Sequence, residues 1–92
     1  MTRTAAITFD RMTTFEGVAE CFMFVDGKPV GSLERERPTR SHAATLRGIV
    51  RDTSKPWMYT AEIDGDAVEI PDGATLREAK QLMRDAYVAR NG

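Results

Sequence analysis

Two Asp-Gly dipeptides, Asp26-Gly27 and Asp64-Gly65, constrain what this chain can fold into more than any other feature. Both residue types accept the positive φ that two-residue primed turns need, so each pair predicts a tight antiparallel hairpin. Val18 to Val25, rich in β-branched and aromatic residues, leads into the first turn. Its return strand runs from about Pro29 to Arg37 and stops at Pro38; Pro29 has no N–H and suits a strand start or an edge. Trp57 to Asp64 leads into the second turn. Trp57, Tyr59, Ala61 and Ile63 alternate with Met58, Thr60, Glu62 and Asp64. A short strand, Ala67 to Ile70, follows and ends at Pro71-Asp72-Gly73. The segments Phe24 to Gly27 and Glu62 to Gly65 echo one another, and read as two hairpins rather than as a duplication.

Around these hairpins the pattern is weaker. Ala5 to Phe9 alternates as a short strand, Arg11 to Gly17 reads as a loop, and Thr39 to Ala44 as a polar loop before a strand over Thr45 to Asp52. The C-terminus is firmer. Thr75 and Glu78 form a capping box, and Leu76, Ala79, Leu82, Met83, Ala86 and Tyr87 make one apolar stripe at helical period. Arg77, Lys80, Gln81, Arg84 and Asp85 take the water-facing side, and Arg90 suits the negative end of the helix dipole. The expectation is an α+β fold, an antiparallel sheet of four to six strands packed against one C-terminal helix. Residues 1–92 are expected to form a single domain.

A helix of this length is about 22 Å long and about 10 Å wide with side chains. Four or five strands at ~4.8 Å spacing exceed that width. Part of the sheet is therefore expected to stay open. In Val18 to Val25, Phe22 and Phe24 point one way while Cys21, Met23 and Val25 point the other. Loops and Ile7, Phe9 and Phe15 could cover the second face. Alternatively Met23 and Val25 belong to an apolar contact patch, which would also serve homodimerisation.

Net charge is only −1, but it is unevenly spread. Between Glu34 and Lys55 there are six basic residues, Arg35, Arg37, Arg40, Arg47, Arg51 and Lys55, against three acids; Thr60 to Gly73 holds five acids and no base. Arginine's planar fork suits phosphate and carboxylate alike, so the six cations are the candidate partner-binding residues, for an anionic surface that is either nucleic acid, through its phosphates, or an acidic protein. The plainer reading is a solvated strand face with Arg–Glu cross-strand pairs.

Nothing in the sequence spells out catalysis. His42 is the sole histidine and Cys21 the sole cysteine, so no zinc set can be assembled. Ser41-His42 adjacency is not a triad, and the acids around Asp64 lack the spacing of a calcium loop. The glycines lie scattered at turns, without a phosphate loop. The expectation is a non-enzymatic binding protein with no cofactor and no metal. One unpaired cysteine, no apolar leader and no membrane-length apolar run point to the cytoplasm.

Two resemblances sharpen this. Arg47-Gly48-Ile49, Trp57, Ala61-Glu62-Ile63 and Ala74 to Ala79 resemble the three-strand-plus-helix DNA-binding domains of ethylene-response factors and integrase arm-binding modules. That resemblance implies DNA reading by Arg47, Arg51 and Trp57, as a regulator or recombination accessory factor. The whole chain, with one helix on an antiparallel sheet, resembles small phage-encoded anti-CRISPR inhibitors, those of type I-F systems in particular. That resemblance implies an inhibitor that binds a Cas protein–guide RNA surveillance complex in the host cytoplasm and blocks target DNA binding.

Overall fold

A computed structural model describes residues 6–15, 17–37 and 56–91. The strand expected over Thr45 to Asp52, the loop with His42, and the candidate cations Arg40, Arg47, Arg51 and Lys55 lie outside the described residues.

Among the described residues, six strands precede one helix: β1 (Ile7–Phe9), β2 (Thr13–Phe15), β3 (Val18–Val25), β4 (Lys28–Glu36), β5 (Met58–Ile63), β6 (Asp66–Val68) and α1 (Leu76–Asn91). They form one antiparallel sheet in the order β1-β3-β4-β5-β6, with β2 also paired to β3. The fold is α+β.

Both Asp-Gly turns form as their chemistry requires. Asp26 and Gly27 have φ of 51° and 83°, and Asp64 and Gly65 have 50° and 84°. Val25 pairs with Lys28 and Ile63 with Asp66, so each loop is the two turn residues alone. Between Met23 and Phe24 the β3–β4 register shifts, and Val30 becomes the extra residue of a bulge.

The loop expected over Arg11 to Gly17 contains a strand instead. β2 is three residues long and entirely exposed, so no apolar alternation marks it. β1 and β2 lie end to end along the same edge of β3, as one strand interrupted at Asp10. Asp10 bridges the interruption. Its N–H donates to the Phe22 carbonyl at 3.1 Å, and its Oδ1 accepts from the Phe22 N–H at 2.7 Å. The edge of β3 keeps its hydrogen bonds where pairing breaks.

The core lies between one sheet face and α1. It contains Cys21, Met23 and Val25 of β3, Leu33 of β4, Ala61 and Ile63 of β5, Ile70, and Ala79 and Met83 of the helix. Leu76, Leu82, Ala86 and Tyr87 pack around it, so the predicted stripe is the buried one. Met23 and Val25, candidates for an exposed apolar contact, are instead buried at 0% and 7% exposure. Alternation assigned them correctly to a face of their own. That face is the one the helix covers.

The helix starts at the predicted box: Glu78 N–H donates to Thr75 Oγ1 and Thr75 N–H to Glu78 Oε1, both at 3.1 Å. The Tyr59 hydroxyl donates to the Ala74 carbonyl at 2.6 Å, which ties the approach to α1 onto β5. At the far end Arg90 Nη1 donates to the Ile63 carbonyl at 3.0 Å and pairs with Asp66 Oδ2 at 2.6 Å. Both ends of α1 are thus fastened to the β5–β6 hairpin. The helix contacts β5 and β6, which leaves β1 and much of β3 to smaller cover.

Candidate functional site

Cross-strand register decides which side each charge takes. Arg35 faces Ala19 and Tyr59, residues of the core side, so it projects toward the side that carries the helix. Arg37, two residues on, shares that side. Trp57 precedes β5 next to them, and both guanidinium groups lie over its ring, with Cζ 4.5 Å from the centroid for Arg35 and 4.4 Å for Arg37. All three residues are half-buried. A guanidinium over an indole is held by about 0.5–2 kcal/mol, depending on its desolvation, and its freedom to rotate is reduced. Nε of Arg35 is covered and has no hydrogen-bond acceptor.

A second cation–aromatic group lies on the same side. Phe9 packs on the core from the edge strand β1. Lys80 Nζ stands 5.3 Å and Arg84 Cζ 5.1 Å from its ring centroid. Their aliphatic stems help to cover this part of the sheet while the charges reach the surface. With Leu76, Arg77 and Gln81 they line a shallow, open recess of about 500 Å³ along the helix. Burial raises the pKa of the Cys21 thiol in the core, and Lys80 and Arg35 both act on it in the opposite sense.

The opposite sheet face is different. Glu20, Glu34 and Thr60 align across β3, β4 and β5, with Ser32 and Glu62 one row away and Glu36 on the other side. Among the described residues, no lysine or arginine occupies a register position on this face. Glu34 feels the crowding: its hydrogen bond with Glu20, its partial burial, and the charges of Glu20 and Glu36 raise its pKa above 4.5.

Of the six cations expected to meet a partner, Arg35 and Arg37 are brought together and the other four lie outside the described residues. Their setting differs from the expectation. The open sheet face carries glutamates, and the arginines sit beside the helix. Lys80 and Arg84 lie on the same side of the sheet, over Phe9, although sequence reasoning left them as solvated helix positions. The three-, four- and seven-residue spacings among Arg77, Lys80 and Arg84 already put them on one helix side.

The two cation–aromatic groups lie on the helix side of an antiparallel sheet. No protein-family model, curated protein or solved structure matches the chain. No helix among the described residues is long and apolar enough to cross a membrane.

Proposed function

We propose that the chain is a non-enzymatic binding protein whose helix-side cations capture an anionic partner, the phosphate backbone within a protein–nucleic acid assembly. The observation that carries this is the stacking of Arg35 and Arg37 on Trp57. Two guanidiniums restrained on one ring lose less freedom on meeting an anion than two solvated arginines would. Lys80 and Arg84, similarly supported by Phe9, extend the same surface.

The charge on the two sides bears on the kind of partner. A sheet that reads duplex DNA must present its open face to phosphates, and here that face carries Glu20, Glu34, Glu36 and Glu62. Repulsion argues against the DNA-reading sheet and favours a one-sided grip on nucleic acid already held by protein. A Cas protein–guide RNA complex, the target of the phage inhibitors this chain resembles, has that composition. Blocking its access to target DNA is the inhibitory role we assign.

Salt titration tests the reading. Four phosphate contacts through Arg35, Arg37, Lys80 and Arg84 give a slope of about −3 in log K against log salt for single-stranded RNA, and removing two roughly halves it. Arg35→Ala with Arg37→Ala is compared with the unaltered chain on a single-stranded RNA and on a purified type I-F surveillance complex. Tighter capture of the complex than of bare RNA, weakened by the double variant, is expected. Failure to bind either at 50 mM salt, or binding that ignores the double variant while ellipticity is unchanged, overturns it.

A further inference from the structure

We infer that the sheet face opposite the helix is a second docking surface, which takes a cationic polypeptide carrying apolar side chains. This goes beyond the helix-side reading and does not depend on it. Three observations carry it. First, nothing described packs on this face, and large apolar side chains stand open there: Phe22 is 42%, Met58 37% and Phe15 78% exposed. Second, they flank a band of carboxylates, since the register places Glu62 in Phe22's row, across Ser32, and the Glu20–Glu34 pair in the next. Third, among the described residues no lysine or arginine holds a register position beside Glu20, Glu34 or Glu62 on this face.

The occupant follows from the spacing of the charges. The described acids do not converge into any group able to hold a metal ion. They are spread at strand pitch, ~4.8 Å across the sheet and ~6.8 Å along it. Cations distributed along a polypeptide match that spacing, and its apolar side chains match the phenylalanines and the methionine. A second copy seated face to face would set glutamates against glutamates, and a nucleic acid would set phosphates against them. The raised pKa of Glu34 fits the same picture, since an arriving guanidinium or ammonium relieves the crowding that burial and Glu20 impose.

The test uses the full chain and a defined probe, the synthetic peptide (Arg-Leu-Leu-Arg)3, with (Ser-Leu-Leu-Ser)3 as its neutral counterpart. Backbone amide resonances are followed by NMR during titration. Expected are shifts at Phe22, Ser32, Thr60 and Glu62 with the arginine peptide only. Glu20→Gln combined with Glu62→Gln should weaken binding about fivefold, the effect of two exposed charge pairs. Both substitutions relieve like charge and should not impair folding; ellipticity checks this. Arg35→Ala with Arg37→Ala should leave the peptide's affinity unchanged, which separates this surface from the helix-side one. The inference is overturned if the arginine peptide does not bind, if its shifts map to the helix side, or if the neutral peptide binds equally well. It is also overturned if the glutamine variant binds unchanged, or if sedimentation shows a self-associated dimer whose interface is this face.

Discussion

Replacing Gly31 by alanine should damage this fold more than any turn glycine would. Gly31 lies in β4, paired with Met23 on one side and Ile63 on the other, directly beside the bulge at Val30. An added Cβ would stand 2.4 Å from the Glu62 carbonyl oxygen and 3.3 Å from Ile63 Cγ1. Ordinary carbon–oxygen contacts across a sheet are about 3.3–3.6 Å, so β4 and β5 would have to separate by about 1 Å. That stretches neighbouring N–H···O bonds of ~2.9 Å past the useful limit of about 3.2 Å. One or two weakened bonds and a loosened core contact cost roughly 2–3 kcal/mol. Reduced entropy of the unfolded chain offsets about 0.4–1 kcal/mol, leaving a net loss of about 2 kcal/mol. A domain of this size has roughly 5–14 kcal/mol to lose. With a urea dependence of about 1 kcal/mol per molar, the midpoint should fall by about 2 M. Fluorescence of Trp57, the sole tryptophan, and ellipticity at 222 nm provide two probes. Gly27→Ala is the control: its φ of +83° is unfavourable for alanine, but nothing lies within 4 Å, so about 1 kcal/mol is expected. A midpoint for Gly31→Ala within 0.5 M of the unaltered chain, or a larger loss in Gly27→Ala, would refute the reasoning.

Three further outcomes are expected. Glu34 has a pKa raised above 4.5, so the folded chain holds that proton more tightly than the unfolded one and stability falls as pH rises through the raised value. Glu34→Gln should therefore match the unaltered chain below pH 4 and be the more stable by roughly 0.2–1 kcal/mol at pH 7, measured by urea unfolding across pH. Met83→Ala empties a fully buried position where α1 meets the sheet, and should cost about 2–5 kcal/mol in thermal or urea unfolding. Asp10→Ala removes the acceptor of the exposed Phe22 N–H and should cost about 0.5–1.5 kcal/mol, with faster amide exchange at Phe22 as the local readout.

Much of this architecture is written locally. Asp-Gly turns, period-two alternation and the Thr75–Glu78 box act within a few residues, so β3, β4, β5, both hairpins and α1 were legible from the chain alone. Alternation also separated Arg35 and Arg37 from Glu34 and Glu36, and Cys21, Met23 and Val25 from Phe22 and Phe24. It could not say which set faces the helix. That depends on where α1 lands, and its landing is fixed by distant partners: Tyr59 with Ala74, Arg90 with Ile63 and Asp66, and Met83 within the core. β2 escaped notice because three exposed residues bury nothing and leave no pattern. The pairing of Arg35 and Arg37 with Trp57, and of Lys80 and Arg84 with Phe9, joins residues about 20 to 75 positions apart. Period and turn chemistry are properties of neighbours in the chain, whereas the side on which a charge emerges is a property of the packed sheet and helix together.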